Sequence, residues 1–127
     1  MNLEKVIFGF FIVLAATLNF GFFIGAIDEP LHHDVYMLFA TIVVNLIATV
    51  LKLGDRTQIG AIHLSTSLVA DLQLVAAAIL WGAAVHVQQV GFTPQVTISV
   101  VSLSGGALLA NITSVVLLIS ETVVLRR

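Results

Sequence analysis

The segment VYMLFATIVVNLIATVLKL, residues 35–53, followed by the polar stretch GDRTQ, residues 54–58, decides the fold. It is an apolar run of helix length that stops at a charged turn. Similar runs occur on both sides, and we predict helices over about 6–27, 35–53, 59–90 and 96–125. A bilayer core about 30 Å thick is crossed by about 20 helical residues, so each run is long enough to span it.

Composition supports a membrane environment. Hydrophobic residues make up 59% of the chain, charged residues make up 9%, and the mean hydropathy is +1.12. So little polar surface cannot cover a soluble globule. The runs are continuously apolar, whereas strands of a membrane barrel alternate. We therefore predict an all-α, integral membrane bundle of four transmembrane helices, with residues 1–127 forming a single transmembrane domain in contact with the lipid bilayer.

The basic residues predict the orientation of this bundle. All five lie at the N-terminus, the second connection or the C-terminus: Lys5, Lys52, Arg56, Arg126 and Arg127. The first connection, residues 28–34, is acidic, and the third, residues 91–95, carries no formal charge. The positive-inside rule then predicts that both termini are cytoplasmic. A cleaved signal sequence is the competing interpretation of the first run, which is long for a signal core.

Several functional classes are disfavoured by composition and length. The chain has no cysteine, which excludes disulfides and thiolate metal sites. The net charge of −2 and the lack of a basic run argue against nucleic acid binding. The short connections leave no room for a nucleotide site, and no catalytic triad or paired carboxylates occur. We therefore expect neither an enzyme nor a bound cofactor.

Polar residues within the apolar runs are the candidate functional site, because such residues are costly in hydrocarbon. Asp71 is the one acid deep within a run, about half-way across the third helix. Polar residues at comparable depth occur in all four runs, and the candidate ion-binding set is Asp71, Asn19, Asn45, Asn111, Ser67 and Ser104. Two interpretations stay open: ligands for a small cation, or hydrogen bonds that join the helices, with Asp71 as a neutral acid.

Small residues mark candidate packing surfaces. Thr17, Gly21 and Gly25 recur every four positions in the first run, and Gly105 and Gly106 lie in the fourth. Small residues at this spacing let membrane helices approach closely. The sequence leaves open whether these positions pack inside one protomer or between subunits.

Histidines near the acidic connection are weak candidates for a metal or pH-sensing site. His32 and His33 lie among Asp28, Glu29 and Asp34, and His86 is expected at a similar depth. Imidazole and carboxylate groups suit zinc and similar ions. The irregular spacing equally fits a solvated acidic loop.

Four stretches resemble a family of small bacterial inner-membrane proteins of unknown function: NFGFFIG (19–25), LKLGDRTQIGA (51–61), TSLVADLQL (66–74) and SLSGGALLAN (102–111). The resemblance extends over the whole chain. It implies four helices in a bacterial inner membrane, and it brings no substrate or catalytic residue.

These observations leave three functional hypotheses. The charge bias predicts one orientation for every copy, so any self-association is parallel and cyclic. The first hypothesis is a parallel homo-oligomer that forms a channel or transport pathway for potassium, sodium or protons around Asp71. The second is a non-conducting accessory subunit of a larger membrane channel or transporter. The third is a pH or metal sensor that uses the histidines of the first connection.

Overall fold

The computed structural model describes residues 3–125, and within them the protein is all-helical. The long helices are α1 (Leu3–Phe23), α2 (Val35–Lys52), α3 (Gln58–Gly82) and α4 (Pro94–Leu125). A 3₁₀ turn, Pro30–His32, precedes α2, and a π-helical turn, Ala83–Val87, continues α3. Each of the four spans is long and apolar enough to cross a membrane, which confirms the all-α fold class.

The helices form an antiparallel bundle in which each packs on two neighbours, in the cyclic order α1, α2, α3, α4. The start of α1, the α2–α3 turn and the end of α4 share one end of the bundle, which we call the basic end. An ion pair between Lys5 Nζ and Glu121 Oε1, 2.8 Å long, joins α1 to α4 there. The other two connections form the acidic end. Arg126 and Arg127 lie outside the described residues.

Helix boundaries differ from the predicted ones where the backbone leaves the helical region. The first helix ends at Phe23 and not near residue 27, because Gly25 has a φ of +115°. The third was predicted to reach residue 90, but Gln89 has a φ of +57° and Gly91 of +80°. There the N–H groups of residues 90 and 91 both donate to the Ala84 carbonyl, which closes the helix end.

Side-chain caps explain why α2 and α3 begin close to their predicted starts. The Asp34 carboxylate accepts a hydrogen bond from the Tyr36 N–H at 2.9 Å. Thr57 Oγ1 accepts one from the Gly60 N–H at 3.0 Å. Each cap satisfies a backbone donor that the first helical turn leaves without a partner.

Apolar side chains occupy the outer faces of the bundle as well as its interior. Apolar residues of all sizes, from alanine to phenylalanine, fill the interior, and many large ones also face outward, including Phe10, Leu72, Ile79 and Leu109. Several polar side chains are instead buried between the helices. A water-soluble bundle would have the reverse pattern on its outer faces. The fold therefore places its polar chemistry inside and at the two ends.

Candidate functional site

Asp71 is held at the α2–α3 interface by two side chains of α2. Its Oδ1 accepts a hydrogen bond from Asn45 Nδ2 at 2.7 Å, and its Oδ2 lies 2.6 Å from Thr49 Oγ1. All three residues are buried, and Asp71 itself is 8% exposed. Among the described residues no ion pair involves this carboxyl group. We call Asp71, Asn45 and Thr49 the midspan cluster.

The hydrogen bonds of the midspan cluster are best satisfied when Asp71 carries a proton. The Thr49 hydroxyl has one proton but lies near two acceptors. These are Asp71 Oδ2 and the backbone carbonyl of Asn45, which is 3.0 Å away. If Asp71 is ionised, only one of these can receive that proton. If Asp71 is protonated, it donates to Thr49, and Thr49 donates to the Asn45 carbonyl. The cluster thus accommodates a neutral acid with every contact made.

Further polar atoms between the helices are buried without a hydrogen-bond partner among the described residues. These atoms are Asn45 Oδ1, Ser67 Oγ, Gln73 Oε1 and Asn111 Oδ1. Asn45 Nδ2 also reaches the Ser67 carbonyl, at 3.4 Å. Asn111 lies on α4 between two contacts with α3, the Thr66–Ser114 hydroxyl pair and the approach of Gln73 to Gly106. Oxygen atoms with free lone pairs in a buried region are a suitable environment for a proton, a water molecule or a small cation.

Asn19 and Ser104, which the sequence groups with Asp71, lie at a different interface. With its amide oriented to satisfy both contacts, Asn19 donates to the Ser104 carbonyl at 2.9 Å and accepts from the Leu108 N–H at 3.1 Å. Ser104 Oγ donates to the Val101 carbonyl at 2.8 Å. The Asn19 amide therefore joins α1 to the backbone of α4. The structure gives it a packing role rather than an oxygen ligand beside Asp71.

The candidate packing glycines make close contacts inside the protomer. A Cβ at Gly21 would lie 2.6 Å from Met37 Sδ, and one at Gly25 would lie 2.7 Å from the His32 Cβ. Gly105 faces the Phe23 ring in the same way, and Gly106 faces the Gln73 amide. Because α1 ends at Phe23, Gly25 is a left-handed loop residue and not part of a helical stripe with Gly21.

Thr17, the third member of the predicted stripe, is exposed and bonded to its own helix. Its hydroxyl donates to the Leu14 carbonyl at 2.9 Å. It lines an apolar groove of about 360 Å³ between α1 and α4, together with Val13, Ala16, Phe20, Leu108, Ile112, Val115 and Val116. Thr17 thus faces the outside of the bundle, unlike the glycines.

The histidines of the first connection are hydrogen-bonded to the protein backbone. His33 Nδ1 lies 2.6 Å from the Phe22 carbonyl, and its Nε2 lies 2.8 Å from the Ala26 carbonyl. His32 Nδ1 accepts from the Ala26 N–H at 2.9 Å. His86 packs edge-on against Trp81. Within residues 3–125 no three histidine or acidic side chains form a group that could hold a metal ion.

The basic end contains an open cavity of about 970 Å³, which we call the basic vestibule. Its charged lining residues are Glu4, Lys5, Lys52, Asp55, Arg56 and Glu121. Lys52 Nζ pairs with Asp55 Oδ2 at 3.3 Å and lies 4.3 Å from the centre of the Phe8 ring. Hydrogen bonds from the hydroxyl and the backbone N–H of Thr57 lower the pKa of Asp55 to about 2.

The candidate ion-binding set predicted from the sequence did not include three residues that the structure brings to these sites. Thr49 bonds Asp71, and its signal was its position one turn after Asn45. His63 and Glu121 approach each other to 3.8 Å near the basic vestibule. They belong to different helices 58 positions apart, and no local pattern in the sequence indicates that contact.

Comparison with known proteins gives a family but no function. The model of DUF6394, described as a family of unknown function, matches residues 32–122. No curated protein and no solved structure matches the chain. The matched range contains α2, α3, the midspan cluster and nearly all of α4.

Proposed function

The chain belongs to DUF6394, a family of unknown function, and from its midspan cluster we propose that it moves a small cation across a membrane. In this proposal it is an integral protein of a bacterial inner membrane with both termini cytoplasmic. Asp71 is the group that binds or carries the cation. Potassium, sodium and protons are the candidates.

The observation that carries the proposal is the buried carboxyl group of Asp71, which forms no ion pair with any described residue. An acid in the middle of an apolar helix is costly, and such residues usually mark ion or proton pathways. Asp71 has two hydrogen-bonding partners and no cationic one in the described chain. Helix association alone would be served equally well by an amide, which never bears a charge.

Hydrogen-bond counting favours the proton over a metal cation. Both Asp71 oxygens already face donors, Asn45 Nδ2 and Thr49 Oγ1. A bound potassium or sodium ion needs several oxygen lone pairs directed at one point. A proton needs only one, and the Thr49 hydroxyl can reorient to accept it.

Parallel self-association completes the proposal. The interior of one protomer is filled by side chains, as is usual for four-helix bundles, which leaves little room for a continuous path. Contacts between copies would supply the remaining wall of the pathway next to the α2–α3 interface. Because one orientation is expected for every copy, the assembly would be cyclic.

Flux into liposomes tests this function directly. Purified native protein and Asp71→Asn are reconstituted, and fluxes driven by potassium, sodium and proton gradients are compared. We expect proton flux in the native protein and its loss in the variant. Thr113→Val, an exposed hydroxyl bonded to its own helix, is the matched control and should retain native flux. Equal flux in the native protein and Asp71→Asn would contradict the role of Asp71.

A second candidate function is a non-conducting accessory subunit of a larger channel or transporter. The apolar groove between α1 and α4 favours it, since grooves of this kind accept a partner helix or a lipid chain. In this case the midspan cluster would serve only to join α2 and α3. The isolated protein would then show no flux of any cation.

The accessory function is tested by filling the groove. Ala16→Phe adds bulk at its wall without touching the buried core, so we expect loss of a co-purifying membrane partner while the bundle stays folded. Gly21→Leu is a poor test because that position packs on Met37 inside the protomer. Retention of the partner by Ala16→Phe would exclude this groove as the docking surface.

A further inference from the structure

His63 is a buried histidine with no hydrogen-bond partner at either ring nitrogen. It lies in the second turn of α3 and is 0% exposed. A buried polar atom without a partner destabilises the fold, so its presence calls for a physical reason. The Phe8 ring packs against it edge-on, with the ring centres 5.0 Å apart, and offers no hydrogen-bonding atom to either nitrogen.

The surroundings of His63 link it to the basic vestibule. Its Nε2 lies 3.8 Å from Glu121 Oε2, while Lys5 holds the other oxygen of the same carboxylate. The remaining charged groups that act on the imidazole are Lys52 at the end of α2 and Asp55 in the following turn. Glu121 lines the vestibule, so one side chain separates the imidazole from this cavity.

In the other direction, α3 itself connects His63 with Asp71. His63, Ser67 and Asp71 are four residues apart, all buried, and lie on one face of the helix. Each step rises about 6 Å, a distance that one hydrogen-bonded water molecule bridges. Ser67 Oγ lies at the middle step and has no partner of its own. A hydroxyl can accept one proton and donate another, which suits an intermediate position in a relay.

We infer that protons reach Asp71 from the basic vestibule through Glu121 and His63, with Ser67 as the intermediate group. This inference rests on the function proposed above. A proton bound at Glu121 Oε2 passes to His63 Nε2, and the imidazolium releases its Nδ1 proton towards Ser67. The Asp71 carboxylate binds the proton and becomes neutral. A hydronium ion in the vestibule protonates the Glu121 carboxylate again and becomes water. His63 returns from its Nε2–H to its Nδ1–H tautomer before the next transfer, so charge and atoms balance over the cycle.

Hydrogen exchange at Asp71 tests the route independently of transport. Native protein in phosphatidylcholine vesicles is transferred to D₂O, and the infrared carbonyl stretch of protonated Asp71 is followed. The band is assigned by its loss in Asp71→Asn. We expect His63→Leu to slow the exchange of this band about 100-fold or more, in line with the usual effect of removing a proton-transferring group. Glu121→Gln should slow it as well.

Two further variants separate a relay from a packing role. His86→Leu removes a histidine beyond the other end of α3 and should exchange at the native rate. His63→Ala leaves a space beside the vestibule, and added imidazole should restore fast exchange there. Slow exchange in His63→Ala that imidazole does not change would overturn the inference in favour of a packing role.

The outcomes also distinguish this route from the proposed function. An intact Asp71 band with native exchange in His63→Leu would overturn the entrance at His63 and leave Asp71 as the transport group. If the native protein has no protonated Asp71 band at any pH, both the route and the protonatable site are overturned.

Discussion

Asp71 and Asn19 are both polar and buried within a long helix, yet their partners differ. Asp71 faces two side chains of α2 and leaves neighbouring oxygen atoms without partners. The Asn19 amide makes one donated and one accepted hydrogen bond with the backbone of α4. In the sequence both are polar residues within an apolar run, and both were therefore predicted to belong to one ion-binding set. It is the hydrogen-bonding partners of each residue, and not its position in the sequence, that distinguish the candidate site at Asp71 from the packing contact at Asn19.

At Asp71 we expect stability and transport to respond differently to two substitutions. Asp71→Asn keeps the shape of the protonated acid and can donate to Thr49, so the unfolding free energy should change by less than about 1 kcal/mol. Asp71→Leu leaves Asn45 and Thr49 without their shared partner and should cost about 1–3 kcal/mol. Both should abolish flux. Unfolding in detergent mixtures, measured beside liposome flux, checks the pair.

At Asn19 we expect the opposite combination. Asn19→Leu removes the α1–α4 hydrogen bonds and should cost about 0.6–2 kcal/mol, the usual range for such bonds in membranes. Proton flux should stay near the native value in protein that remains folded. The same unfolding and flux measurements apply, and a selective loss of flux would return Asn19 to the ion pathway.

At the scale of elements, α4 combines close contacts with two neighbours. Gly105 faces Phe23 of α1 and Gly106 faces Gln73 of α3, so the absence of side chains at adjacent positions lets α4 approach both. The small residues of α1 act differently, because the helix ends before Gly25. A glycine pattern therefore indicates that a helix approaches a neighbour closely. Which neighbour each glycine contacts depends on where the helix ends.

A pair of glycine substitutions tests this reading of α4. The Cβ of Gly105→Ala would lie 2.8 Å from Phe23 Cε1, and displacing the ring should cost about 1–3 kcal/mol. Gly82→Ala, at the end of α3, meets no atom within 4 Å and should stabilise the helix by about 0.5–1 kcal/mol. Unfolding free energies of both variants check the contrast. Equal effects of the two changes would contradict the close contact.

The α2–α3 turn gives a pH prediction with a defined sign. Because Thr57 lowers the pKa of Asp55 from 3.8 to about 2, the ionised carboxylate stabilises the fold above pH 3.8. That contribution is lost as the pH falls through about 2. In Thr57→Val the pKa should return towards 3.8, as measured by carboxyl NMR titration. The same variant removes the α3 cap and should cost about 0.5–2 kcal/mol.

At the scale of the whole molecule, the described basic side chains gather at one end of the bundle. Lys5, Lys52 and Arg56 all line the basic vestibule, and two of them are paired with acids. The acidic connection lies at the opposite end. The alternation of basic and acidic connections along the chain thus becomes a difference in charge between the two ends of the bundle. This difference is the basis of the proposed orientation.

Cysteine labelling tests that orientation, because the native chain contains no cysteine. Leu31→Cys places a thiol at the acidic end, where the native side chain is 92% exposed. Gly54→Cys places one in the α2–α3 turn, where a Cβ meets no neighbour within 4 Å. In intact cells a membrane-impermeant maleimide should label only Leu31→Cys, and permeabilisation should add Gly54→Cys. Reversed labelling would exclude cytoplasmic termini.

The sequence alone determined the four helices and their order, since continuously apolar runs of this length favour the helix, which satisfies its backbone hydrogen bonds within one segment. It did not locate the ends of α1 and α3, where glycine and glutamine adopt left-handed backbone angles. Only the tertiary structure decided that Thr49 bonds Asp71, that Asn19 serves α4, and that His63 meets Glu121. These contacts join different helices, and their formation depends on how each helix is rotated against its neighbours, a property that no local pattern of residues contains.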